Sequence, residues 1–359
     1  MGYHAAVTLA EKVGQLLWCG FDGLRPSAGF AGRIAAGEVG VTVLFKRNLG
    51  EIADVIALCA ELHDLAPPGT PLLIAIDQEG GKVQRVREPA TVWPPMRRVG
   101  ERGDAELAEA VGRALGEELA AVGVDIDFAP VLDVDTNPAN PVIGERAFAA
   151  RPEDVIRLAG AFARGLTAAG VLACGKHFPG HGDTSVDSHF ALPRVDHALE
   201  RLRAVELAPF RALPSLPMVM TAHVIFAALD DTRPATLSPA VIGGLLRGEL
   251  GYGGIVVSDD LEMKAIADHY GVCEAAEQAL VAGCDTLLIC SREDQQQEVH
   301  EHLVRAAERG EALRRRVDEA AARVAAMKAG HRAPARLSAE AALAVLGRRE
   351  HQELARRLA

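Results

Sequence analysis

The 359-residue chain is 49% apolar and 24% charged, which sets aside wholesale disorder, collagen-like repeats and a disulfide-dense scaffold. Its length fits two ordinary domains or one large barrel. A formal charge of −11, with no basic run long enough to follow a phosphate backbone, argues against nucleic acid as a partner.

Short apolar, β-branched runs alternate with segments of helical period along most of the chain. In chain order the expected elements are strands over 15–20 and 40–45, a helix over 51–65, a strand over 72–77, and a helix over 105–121. A strand over 124–130, a helix over 153–169, a strand over 173–177 and a helix over 199–213 follow. The series ends with a strand over 218–223, a helix over 238–250, a strand over 254–259, a helix over 273–282, a strand over 285–289 and a helix over 295–309. Eight strands with intervening helices predict an α/β fold, a closed (β/α)8 TIM barrel. An open doubly wound sheet would carry a Gly-rich phosphate turn after its first strand, and GFDGLRP is not GxGxxG. Several runs also end on a polar or ionisable residue (LLIAID, ACGKH, VMTAH, IVVSD), and barrel enzymes place their chemistry at such strand ends. The division expected is one barrel domain, residues 1–330, with a helical tail, 331–359, packed on it.

The cysteines at 19, 59, 174, 273, 284 and 290 form no CxxC pair, so they read as reduced thiols of a cytosolic protein. The N-terminus lacks the basic start, apolar run and cleavage site of an export signal, and no stretch approaches the ~20 apolar residues of a bilayer span. A soluble, cytoplasmic chain is expected.

Three segments can carry chemistry. KHFPGHGDTSVDSH, residues 176–189, runs a strand into three histidines and two aspartates. Its Pro and Gly residues predict a long loop over the barrel mouth, from 180 to 196. Zinc ligation by His177, His181 and His189 with Asp183 or Asp187 is an alternative, but Pro179 and Gly180 deny the helix that would preorganise such spacing. In IVVSDDLEM the strand delivers Ser258, Asp259 and Asp260, where a carboxylate can act as a nucleophile or cap the next helix. In LLIAIDQEGGKVQR, Asp77 and Arg85 can grip vicinal hydroxyls or form a surface salt bridge.

Taken in order, DQEGGKVQR, NPVIGERAF, KHFPGHGDTSVDSH and VVSDDLEM resemble the motif series of family 3 glycoside hydrolases, in the bacterial β-N-acetylglucosaminidase branch. The resemblance spans roughly residues 10 to 290, and KHFPGHG-x4-DSH is its most specific part. It implies that Asp259 is the nucleophile of a retaining reaction, with His189 as acid/base and Asp187 as its partner. An imidazole of reference pKa ~6.5 can give and take the proton near neutrality. The resemblance further implies sugar contacts from Asp77, Arg85, Arg146, Lys176 and His177. His223 has a weaker claim, and Asp133 and Asp260 read as local hydrogen-bonding residues. Glu262 and Lys82 are identities the pattern does not foretell. The implied activity is release of terminal non-reducing N-acetylglucosamine from peptidoglycan fragments and chito-oligosaccharides, with no metal or other cofactor and no membrane partner, by a monomer. A phosphorylase acting on the same sugar, or a non-catalytic amino-sugar-binding protein, are the competing readings.

Overall fold

The computed structural model describes residues 7–188, 191–332 and 336–358. Eight parallel strands close into a barrel: β1 (Leu17–Cys19), β2 (Val41–Leu44), β3 (Leu73–Ile76), β4 (Ile126–Asp127), β5 (Leu172–Phe178), β6 (Met218–Thr221), β7 (Ile255–Asp260) and β8 (Thr286–Ile289). Each pairs with its sequence neighbours, and β8 closes on β1 through Leu17↔Leu287. Strands covered on both faces need apolar residues without alternation. That is why VTVL, LIAI and MVMT are buried at every position. Among the described residues no helix is long and apolar enough to cross a membrane.

Helices wrap the barrel, and their boundaries follow local chemistry. Ala105–Val122 starts at Asp104, whose carboxylate accepts the Glu106 and Leu107 amides, and stops at Gly123 in the left-handed region. It lies hard against Pro152–Ala168, since a Cβ on Gly112 would stand 2.2 Å from the Phe162 carbonyl oxygen.

All eight expected strands are present, but three expected elements change shape. Residues 15–20 divide between the helix Leu9–Leu16 and β1. The helix expected over 199–213 is two, Leu199–Ala204 and Ala208–Ala212, with Pro209 in the first turn of the second. Ala240–Glu249 is wound wider, as a π-helix. After β8 come Glu293–Arg309 and Glu311–Gly330, then two short helices, Ala339–Val345 and Arg349–Arg356, in the tail.

Candidate active site

The strand ends surround a cavity of about 260 Å³ with Asp77, Glu79, Arg85, Arg146, Lys176, His177 and Asp259 in its wall. Apolar surface from Phe128, Met220 and Leu288 completes it.

Two register shifts aim the side chains. On β7, Val257 pairs with Thr286 and Asp260 with Leu288, so three steps oppose two and one residue bulges. The Ser258 hydroxyl fills the interrupted ladder by accepting the Leu288 amide at 3.0 Å. Asp259 is thereby turned into the wall, with its Oδ1 accepting the Asp260 amide at 2.8 Å. On β5, Lys176 pairs with Met220 and Phe178 with Thr221, which leaves His177 as the extra residue; the Lys176–His177 peptide is cis.

After Asp77 a short ribbon, Gln78–Gly80 against Val83–Gln84, folds over the mouth. Its buried glutamines hold it: Gln78 Oε1 accepts the Arg85 and Val86 amides, and Gln84 spans from the Thr91 carbonyl to the Trp93 amide. Arg85 is carried into the wall, and its buried Nε has no hydrogen-bond partner among the described residues.

The floor is a charge cluster. Lys176 Nζ donates to Asp77 at 2.6 Å and reaches Glu79 at 2.5 Å, while Arg146 grips Glu79 with two bonds of 2.8 Å. Burial alone would raise the Glu79 carboxyl, but Arg146 and Lys176 hold it far below the usual glutamate value. Burial would likewise lower the Lys176 ammonium, and Asp77 and Glu79 hold it above its ordinary value. Glu79 escaped the sequence reading. Alternation along an extended chain, which puts Asp77 and Glu79 on one side, was the signal available.

Asp133 is buried and organises two histidines. Its Oδ2 pairs with His177 Nδ1 at 2.7 Å, and its Oδ1 accepts the amides of His177 at 3.2 Å and His181 at 2.6 Å. Burial works against its charge, yet His177 and His181 hold its carboxyl below the ordinary value. His223 lies beneath the wall, fully buried. Its Nδ1 meets Thr236 Oγ1 at 2.8 Å and its Nε2 the Asp260 carbonyl at 3.0 Å. Burial, followed by the charges of Glu262 and Asp259, pushes the Asp260 carboxyl up to about 7. Glu262 accepts the Ser291 and Arg292 amides, tying the chain after β7 to the chain after β8.

Residues 180–188 and 191–193, after β5, are irregular, in keeping with their glycines and proline, and the two-residue strand Arg194–Val195 follows. Asp187 is partly buried within it, and His189 lies outside the described residues.

Charged side chains gather around a cavity at the strand ends, where barrel enzymes place their chemistry. Residues 8–327 match the Glycosyl hydrolase family 3 N terminal domain. The chain belongs to this family. A Beta-hexosaminidase of Alkalilimnicola ehrlichii is 44% identical over 295 residues, covering 80% of this chain and 84% of that one. A family 3 beta-N-acetylglucosaminidase from Paenibacillus sp. superimposes with a TM-score of 0.92 at 46% identity, over 98% of this chain and 68% of that one. NagZ from Neisseria gonorrhoeae, solved with N-trifluoroacetyl-D-glucosamine, gives a TM-score of 0.79 at 34% identity over 96% of both chains. As a family 3 barrel the chain is a glycoside hydrolase.

Proposed function

We propose that this family 3 enzyme is a retaining exo-β-N-acetylglucosaminidase. The observation that carries the reading is the β7 bulge, which turns Asp259 into a cavity of one-ring size whose floor is the cluster of Lys176, Asp77, Glu79 and Arg146. A cavity of about 260 Å³ has room for roughly one sugar ring, which supports exo action.

In the first step Asp259 bonds to the anomeric carbon as the C1–O bond breaks, and His189 gives its proton to the departing oxygen. In the second, a water yields a proton to His189 and attacks C1, freeing Asp259 with retention. Asp187 orients the imidazole and favours its charged form. Asp77, Arg85, Arg146, Lys176 and His177 grip the ring hydroxyls, and His223 supports the mouth from below through the Asp260 carbonyl. These groups suffice without a cofactor. The substituted glucosamine bound by the gonococcal relative supports a 2-acylamino sugar as substrate. The physiological substrates we infer are peptidoglycan fragments in cell-wall recycling and chito-oligosaccharides, acted on in the cytoplasm by a monomer. Its catalytic unit is residues 1–330, with 331–359 packed on it.

The test is hydrolysis of aryl β-N-acetylglucosaminide and aryl β-glucoside, with and without phosphate, followed by NMR. The expected result is faster release from the amino sugar, with the β anomer formed first at a rate indifferent to phosphate. Preference for the glucoside or first formation of the α anomer overturns the reading, and accumulation of the sugar 1-phosphate shows a phosphorylase. A fluorinated glycoside should label Asp259; a label elsewhere removes it as nucleophile.

A further inference from the structure

The third histidine of the mouth, His181, has no part in the chemistry just described, yet it is 2% exposed and both of its ring nitrogens are hydrogen-bonded. Its amide is fixed to Asp133 at 2.6 Å and its carbonyl accepts Asn140 Nδ2 at 2.9 Å, so its backbone is fastened to the chain after β4. Gly182 adds a close approach that no side chain would permit, since a Cβ there would stand 1.9 Å from the Val134 carbonyl oxygen.

From that fixed backbone the imidazole reaches forward along the loop. Nδ1 meets Thr184 Oγ1 at 2.8 Å and Nε2 meets Ser188 Oγ at 3.0 Å. Thr184 Oγ1 also donates to the His181 carbonyl at 3.1 Å, which spends its single hydrogen. His181 then donates from Nδ1, and in a neutral ring Nε2 accepts from the Ser188 hydroxyl. That arrangement requires a neutral ring, and burial followed by the charge of His177 lowers its pKa to about 4. Ser188, itself 2% exposed, is tied on its other side, because its carbonyl accepts the Ala265 amide at 3.3 Å from the chain beyond β7. Ser188 stands in sequence between Asp187 and His189.

We infer that His181 is a positioning residue for the acid/base dyad: through Ser188 it seats the returning limb of the loop between the β5 end and the β7 end. The inference rests on the reading of His189 as the acid/base. It goes beyond that reading in assigning the loop's placement to one neutral imidazole and one hydroxyl.

The test uses His181→Phe, Ser188→Ala and the double variant, with His189→Ala as reference and thermal melts to confirm folding. Each is assayed on a nitrophenyl β-N-acetylglucosaminide, whose leaving group needs no proton, and on chitobiose, whose leaving group does. Misplacing a proton donor should cut kcat/KM for chitobiose at least about tenfold while changing the nitrophenyl substrate less than about threefold. Because both residues act through one contact, the double variant should be no worse than the worse single. Equal losses on both substrates, additive losses, or no loss in a folded variant overturns the inference. If His189→Ala itself shows no such split, the acid/base reading fails and takes the inference with it; if it shows the split and the other variants do not, the inference fails alone.

Discussion

At Glu79 one buried carboxylate fixes two cations, and each cation faces the cavity because the other side of it is held. Glu79→Gln keeps the shape and removes the charge, leaving Lys176 and Arg146 with less anionic compensation in a dry floor. The expected cost is about 3–5 kcal/mol in urea unfolding at neutral pH, with at least about a tenfold fall in kcat/KM. The folded-state pKa of Glu79 lies below its unfolded value of about 4.3, so its contribution is complete above that pH and fades as pH falls beneath it. The stability gap between wild type and variant should therefore narrow below about pH 4. A gap that stays constant across acid pH would remove the ion pairs as its cause. Asp260 works in the opposite sense. Its pKa is raised to about 7 by burial and by Glu262 and Asp259, so its contribution is full below the unfolded value of about 3.9 and is lost as pH climbs through 7. Asp260→Asn, which cannot ionise, should gain stability relative to wild type between about pH 4 and pH 7, read as diverging melting temperatures; parallel curves would contradict this.

Elements explain which parts of the molecule the sequence could reveal. The strands were legible because a strand buried on both faces must be an apolar run, as VTVL, LIAI and MVMT are. Residues 15 and 16, the end of Leu9–Leu16, were assigned to the first strand because their apolar neighbours run straight into β1; the signal of the helix is the capping box of Thr8 and Glu11, whose side chains satisfy each other's amides. Asp77, Lys176 and Asp259 were legible as ionisable groups at strand ends, whereas Arg146, in the turn Gly144–Arg146, was legible only through the resemblance carried by NPVIGERAF. The bulges that aim Lys176, His177 and Asp259 were not, because a bulge depends on the partner strand's register rather than on local residue types. Ser258 is the case in point: in sequence it looks like a cap, and in the barrel it completes a ladder. Ser258→Ala would orphan the buried Leu288 amide, at a cost of about 1–3 kcal/mol, and loosen the bulge beneath Asp259. The expected outcome is a fall in kcat with KM little changed, because the charged floor of the cavity is carried by other elements. A selective rise in KM would show that the bulge shapes the cavity and not the nucleophile.

At the scale of the whole molecule, the chain beyond β8 is fastened to the strand starts of the barrel and to the helix Ala105–Val122. At the base, Lys328 Nζ donates to Gln15 Oε1, the Gly40 carbonyl and the Pro71 carbonyl at 2.6–2.8 Å, so the helix Glu311–Gly330 plugs the strand starts. Further along, the tail meets Glu118, a 3% exposed carboxylate on Ala105–Val122. Glu118 accepts the Gly347 amide at 2.8 Å and faces His351 Nδ1 at 2.9 Å from the tail. It also accepts the Thr91 amide at 2.9 Å and hydroxyl at 2.8 Å from the segment that leads back through Gln84 to Arg85. The tail and the cavity's outer wall thus share one anchor more than two hundred residues apart in sequence. Glu118→Ala strands several buried donors at once, and the expected loss is about 3–5 kcal/mol in urea unfolding, with a rise in KM as Arg85 loses its support. Deleting residues 331–359 removes only the tail's half of the contact, so Glu118 keeps Thr91 and KM should move less than in Glu118→Ala. Because the deletion and the substitution break a shared contact, their combination should destabilise by less than the sum of the two. Strict additivity, or a deletion that raises KM as much as Glu118→Ala, would show that the tail and the wall are held separately.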